Sequence, residues 1–245
     1  MKQLLADIVR QVSPLFEKIR VTGLDDGTKV EAYTEDKMLF LFADLKGFQS
    51  DLVGEFGISN LPLLRGLLEF ATYNTDGAKF NVHRTERDGN NYVSELEFSA
   101  AGEGRAVFRT INPRIMGDRA RIAPINWGVS VTPSKAKITE IIQLTGMLSQ
   151  VEQHFAVNYE NHTLFLTIGA KGTNSHNASV ALTSDINCEG LLPLNSVFKA
   201  PHFLGVLKNA GNQPCTIRFC KDGVSGILIE TNHGTYNYLL RGTEI

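Results

Sequence analysis

The chain has 245 residues, 42% hydrophobic and 20% charged, with a net charge of −2. That composition suits one large or two smaller globular domains with a full buried core. It excludes a protein held to nucleic acid by bulk positive charge, but not one that gathers its cations on a single face. In chain order, Leu4, Leu5, Ile8, Val9 and Val12 share one helical face over residues 2–12, with Gln3, Asp7 and Arg10 opposite, and Pro14 ends the pattern. Phe16 to Val21 then reads as a strand. Val30 and Ala32, Met38 to Phe42, and Leu52 to Ile58 give three more, with Asp26-Gly27 and Glu35-Asp36 as breaks. An amphipathic helix follows over 61–71. Lys79–His83, Tyr92–Phe98 and Arg105–Ile111 are three strands separated by Asp76-Gly77, Asp88-Gly89 and Gly102/Gly104 turns.

Residues 112–134 break this rhythm with Asn-Pro, Gly-Asp, Ala-Pro and Thr-Pro pairs. They also hold Arg114, Arg119, Arg121 and the only tryptophan, Trp127. The stretch reads as an extended surface linker. Then the first pattern restarts. Ile138, Ile141, Ile142, Thr145 and Leu148 make a helical stripe. Strands follow at Phe155–Tyr159, Thr163–Ile168, Ala178–Thr183 and Leu191–Phe198, then a helix from Ala200 to Ala210, then strands at Cys215–Cys220, Gly226–Glu230 and Tyr236–Leu240.

The second helix of each half is the clearest repeat. Laid over each other, Leu61–Ala71 and Ala200–Ala210 match Pro62 to Pro201, Gly66 to Gly205, Leu68 to Leu207 and Ala71 to Ala210. A shift of 136 also sets Ile8 on Leu144, Val12 on Leu148, Ile19 on Phe155 and Val21 on Val157. A period above a hundred residues marks a duplicated domain, not a solenoid. The expected organisation is a domain over 1–112, a linker over 113–134 and a domain over 135–245. Each domain lays two helices on antiparallel sheets in an α+β fold.

No catalytic constellation stands out. Phosphate-loop, nucleophile-elbow and His-Glu-x2-His motifs are absent, and the six histidines lack ligand spacing. The reading is of a non-enzyme with no cofactor and no metal. Asp44, Asp51 and Glu55 read as a solvated acidic loop. Cys188, Cys215 and Cys220 are too few and odd in number for a disulfide framework and read as reduced residues of a reducing cytosol. Charge breaks the apolar start of the chain, unlike a signal peptide, and no run approaches the ~18 residues of a membrane span. A cytoplasmic protein without a membrane partner is expected.

The four helical stretches carry seven cations, Lys2, Arg10, Arg65, Lys135, Lys137, Lys199 and Lys208, against Asp7, Glu69 and Glu140. A surplus of four positive charges on the helices of a net acidic chain describes a weakly positive helical surface on an acidic body. Exposed helix faces often carry Lys and Arg. The functional alternative is a surface that attracts a phosphate backbone without reading sequence.

At this point the chain resembles the DNA polymerase sliding clamps of T-even-type bacteriophages over nearly its whole length. The resemblance rests on the duplicated helix–strands–helix–strands unit. It rests also on Phe42-Ala-Asp-Leu-Lys-Gly-Phe48, on the helix from Lys137 to Leu148 and on the final hairpin Glu230–Leu240. It implies the DNA clamp fold, assembled head to tail as a homotrimeric ring whose helices line a hole for double-stranded DNA, bound without sequence specificity. It places Lys2, Arg10, Arg65, Lys137, Lys199 and Lys208 in that channel, with Gly66 and Gly205 letting the backbone lie close to the duplex. It implies a clamp loader ATPase, a viral DNA polymerase tethered through a short peptide, a role in late transcription and the cytoplasm of an infected bacterium. For the peptide pocket it points to Trp127, Val129, Val131, Leu239 and Leu240. The Arg114–Arg121 stretch is longer and more basic than the family pattern. A phage structural or assembly protein built from duplicated α+β domains is the competing reading, without a reason to gather cations on the helices.

Overall fold

A computed structural model describes every residue except 48, 88, 103, 170–175, 185, 187–195 and 245. Phe48, Asp88, Cys188 and the 191–195 part of the strand expected at Leu191–Phe198 lie outside the described residues.

The elements run α1 (Lys2–Val12), β1 (Lys18–Gly23), β2 (Gly27–Tyr33), β3 (Leu39–Lys46), β4 (Gly54–Ser59), α2 (Leu61–Glu69), β5 (Lys79–Arg87), β6 (Asn90–Ala100), β7 (Gly104–Arg109) and β8 (Val129–Val131). Then come α3 (Lys135–Leu148), β9 (His154–Glu160), β10 (Thr163–Ile168), β11 (Ala178–Thr183), β12 (Ser196–Lys199), α4 (Ala200–Ala210), β13 (Cys215–Cys220), β14 (Val224–Thr231), β15 (Gly234–Arg241) and β16 (Thr243–Glu244). The duplication is visible in strand order. In the first half the strands lie β4-β1-β2-β3, in the second β11-β10-β9-β12, which is the same order of equivalents read from the other side. A fourth strand beside the first is the Greek-key arrangement. Likewise β5-β6-β7 and β13-β14-β15 are adjacent in sequence order in both halves.

Chain contacts divide the molecule into two compact units, and neither is continuous. One is Met1–Thr34, Leu41–Arg121 and Asn232–Thr235. The other is Glu35–Phe40, Ile122–Thr231 and Tyr236–Ile245. Boundaries at 112 and 135 therefore miss two short segments that each pack with the other half's residues. In the first unit α1 packs on α2. Leu4, Leu5, Ile8, Val9 and Val12 are buried, as the 3.6-residue period requires. Helix α2 opens with Pro62 in its first turn and buries Leu61, Leu64 and Leu68. It stops at Glu69, because Phe70 turns to extended backbone, and a 3-10 turn follows over Ala71–Asn74. Phe70 is thereby left exposed instead of on the buried face.

In the second unit α3 packs on α4. Ser134 caps α3 by accepting from the Lys137 backbone N–H at 3.3 Å. An aromatic cluster seats α4. The Phe155 ring lies 4.7 Å from Phe203 and 5.4 Å from Phe198, which in turn is 6.2 Å from Phe219. All four are buried, so α4 is locked to β9, β12 and β13 by contacts worth ~0.5–1.5 kcal/mol each beyond area burial. Cys215 and Cys220 are free and buried, and burial pushes the Cys215 thiol up to about 12, leaving it protonated at neutral pH.

The 112–134 stretch is not wholly a linker. Val129 and Val131 are buried and pair with Phe219 and Ile217 of β13, so its end is an edge strand. Its beginning is pinned as well. Met116 is buried against Gly57, where any side chain would strike its sulfur. Arg119 reaches Glu31 at 3.1 Å and bonds Glu55, which also holds Arg20, and Arg20 donates to the Gly117 carbonyl at 2.6 Å. The expected acidic loop is thus dispersed: Glu55 serves this cluster, while Asp44 pairs loosely with Lys29 at 3.4 Å.

Candidate nucleic-acid interface and partner pocket

The six cations expected to face a duplex sit on or beside the four helices, and five of them are engaged locally. Lys2 bonds the Tyr73 carbonyl and, at 2.8 Å, Asn74 Oδ1, tying α1 to the turn after α2. Desolvation lowers its ammonium pKa. Arg10 pairs with buried Asp7 three residues before it. Arg65 pairs with Glu69 at 2.8 Å and Lys137 with Glu140 at 2.6 Å, both at helical spacing. Lys199 bonds Asp36 at 2.6 Å. Lys208 is exposed and, like Lys135, carries no ion pair among the described residues. Exposed pairs of this kind are worth only ~0–1 kcal/mol, so a phosphate can compete for them. In each unit the positive charge of the helices is muted by these contacts, weaker than the residue count suggests. Gly66 is exposed, and a Cβ there would meet nothing within 4 Å, so the α2 backbone is open to close approach.

Of the five residues expected to wall a peptide pocket, Leu239 lines the cavity described below, and the other four do not. Val129, Val131 and Leu240 are core residues. Trp127 packs against Gly226, where a Cβ would collide with the indole, and the Arg218 guanidinium lies over the ring at 4.5 Å from its centroid. Arg218 also donates to Asn237 Oδ1 at 2.7 Å. Trp127 is therefore a clamp for the chain entering β8. Only Leu239 lines a cavity, and that cavity is large, about 1010 Å³, and wholly within the second unit. Its apolar walls are Met38, Phe40, Ile122, Val224 and Leu239. Charged rim groups come from Lys221, Asp222, Arg241 and Glu244, the last on the two-residue strand β16 that pairs with β12.

A sequence signal for Met38 and Phe40 existed. Met38 to Phe42 is apolar on both strand faces, and the structure buries Leu39 and Leu41 while leaving Met38, Phe40 and Phe42 half-covered. A strand with a second apolar face needs a second cover.

Elsewhere, the described residues include no group of three or more His, Cys, Asp or Glu able to hold a metal ion. His83 pairs with Glu97 at 2.9 Å, and His162 meets Tyr159 at 3.2 Å, each apart from the cavity. No helix among the described residues is long and apolar enough to cross a membrane.

No family model and no curated protein matches the sequence. Solved structures do match the fold. The PCNA of A. fulgidus, solved with the C-terminal region of FEN-1 bound, superposes with a TM-score of 0.69 at 16% identity, over 100% of this chain and 96% of that one. PCNA from Thermococcus kodakaraensis gives 0.69 at 12%, over 99% and 97%. The PCNA2-PCNA3 complex from Sulfolobus tokodaii gives 0.69 at 12%, over 98% and 96%. With full-length superposition on three PCNA structures and the same helices-on-antiparallel-sheets architecture, this chain has the DNA clamp fold.

Proposed function

We propose that the chain is a sliding clamp, a processivity factor that encircles duplex DNA and tethers a replicative polymerase, with no chemistry of its own. The observation that carries this reading is the full-length clamp fold at a chain length of two domains. Two domains per chain require three chains for six-domain symmetry. Among the described residues, β7 ends the β5-β6-β7 sheet and β11 ends the five-stranded sheet, two unlike edges on each protomer. Exposed apolar side chains lie in the same unit as each edge. Val107 on β7 and Phe70 belong to the first unit. Met147 on α3 and Val151 just after it belong to the second, where α3 packs on β11. Unlike surfaces joining head to tail close into a ring when the rotation fits, and pairing the edges removes an aggregation hazard. The PCNA2-PCNA3 complex is a precedent for such subunit contacts, and the bound FEN-1 segment for a peptide partner.

In this ring the helices face the duplex. Topology holds the DNA, so the muted charge of the helix faces favours sliding over grip. The cavity walled by Met38, Phe40, Ile122 and Leu239 takes an apolar or aromatic side chain of a partner's peptide. The likeness to T-even phage clamps extends the proposal to a viral polymerase, an ATP-driven loader and late transcription in an infected bacterium.

The test is molar mass by light scattering behind size exclusion. The expected mass is three times 27.0 kDa at high concentration, falling toward one protomer on dilution. A monomer at every concentration would remove the ring.

A further inference from the structure

We propose that Asp36 is a positioning residue for the partner pocket, and that Lys199 serves Asp36 rather than a phosphate backbone. Both oxygens of this carboxylate are used. Oδ1 accepts the Met38 backbone N–H at 3.0 Å, closing the turn that delivers Met38 and Phe40 to the cavity. Oδ2 takes the Lys199 ammonium at 2.6 Å and lies 3.3 Å from His202 Nε2. Between them Lys37 sits in the left-handed region at φ 54°, a conformation non-glycine residues avoid unless neighbours hold it.

Placement explains what the carboxylate does. Ser196, at the start of β12, lines the cavity; Lys199 ends β12, and His202 lies in the first turn of α4. Asp36 therefore cross-ties two of the chain segments that line the cavity, 35–40 and 196–202, while itself standing outside it. All of these residues belong to the second unit. Lys199 is also the N-cap of α4 and makes no side-chain cap bond. A cation there opposes the positive end of the helix dipole, and a carboxylate beside it restores the balance. Lys199 and Asp36 are each about a third exposed, at 38% and 36%, so the tie is adjustable rather than rigid. An occupant that shifts Met38 pulls directly on this pair.

This assignment, which rests on the cavity being the partner site, is tested on the methyl groups of the four methionines by carbon-13 labelling and NMR. Met116, buried in the first unit, and Met147, exposed on α3, serve as internal references. Asp36→Ala removes all three of these contacts and is expected to move and sharpen the Met38 resonance. Asp36→Asn keeps an acceptor for the Met38 N–H but loses the charge. It should shift the resonance less, as should Lys199→Gln, and in the same direction. The two references stay in place. Asp36→Asn should also weaken binding of the cognate polymerase about threefold, the range of a partly exposed ion pair. An unmoved Met38 methyl in both Asp36→Asn and Lys199→Gln overturns the assignment. So does a loss of duplex retention in Lys199→Gln as large as in Lys208→Gln with Met38 undisturbed. Failure of the pocket reading itself shows differently, as full polymerase binding by an Ile122→Glu variant.

Discussion

A variant carrying Met147→Glu and Val151→Glu is expected to run as a 27.0 kDa monomer at concentrations where the proposed ring would hold the parent protein as a trimer. Both side chains are more than 60% exposed in the isolated chain, at 65% and 61%, so the fold has no stake in their being apolar. At a joint between protomers they would be dehydrated, and two carboxylates there must be buried unpaired or stay apart. Hot-spot losses of about 2–4 kcal/mol per joint correspond to a 30- to 1,000-fold weaker contact. A ring has three such joints, so the loss compounds. Light scattering reads the mass, and circular dichroism checks that the fold persists. A double variant that stays trimeric would move the joint away from the end of α3.

The second large effect is expected at the cavity. Ile122→Glu should weaken polymerase binding by at least about thirtyfold, a hot-spot cost near 2 kcal/mol, and shorten the products made on a primed template. Ile122 is 40% exposed, so the substitution leaves the core alone. It places a carboxylate on a wall shared with Met38, Phe40 and Leu239, on a rim that already carries Asp222 and Glu244. Ile115→Glu is the control. Ile115 lies seven residues earlier, is 74% exposed and does not line the cavity. Product lengths should separate the two variants. Equal product lengths would mean that the cavity is not where the polymerase docks.

Much of the architecture was legible from periodicity. The 3.6-residue stripes of α1, α3 and α4 and the repeated Pro-x3-Gly-x-Leu-x2-Ala pattern point to the duplication. The helix-borne ion pairs Asp7–Arg10, Arg65–Glu69 and Lys137–Glu140 join residues three or four apart, a spacing that a simple count of helix charges passes over. The Lys199–Asp36 pair was not legible in the sequence. Its partners are separated by 163 positions, and only the fold brings them together. Strand β8 escaped because Val129–Val131 is three residues long, lies in a Pro-punctuated stretch, and owes its order to β13 rather than to its own pattern. Strand β16, two residues long, has no period at all. The residues of the proposed cavity, Leu239 apart, differ from those expected for a peptide pocket, and for a physical reason. Trp127 is the most conspicuous residue of the stretch, but its six-membered ring abuts Gly226 and the Arg218 guanidinium lies over the indole. The walls come instead from Met38 and Phe40, far upstream, whose second apolar strand face was the available clue.

The measurement that tests encirclement most directly is retention on an end-blocked duplex. The protein is incubated with a linear duplex, the ends are capped with a bulky protein, and the salt is raised at constant protein concentration. A ring should stay on the duplex at a salt concentration that screens phosphate contacts, and should leave when one cap is cut away. Loss at high salt with both ends still blocked would show a surface binder held by charge, and would contradict a clamp.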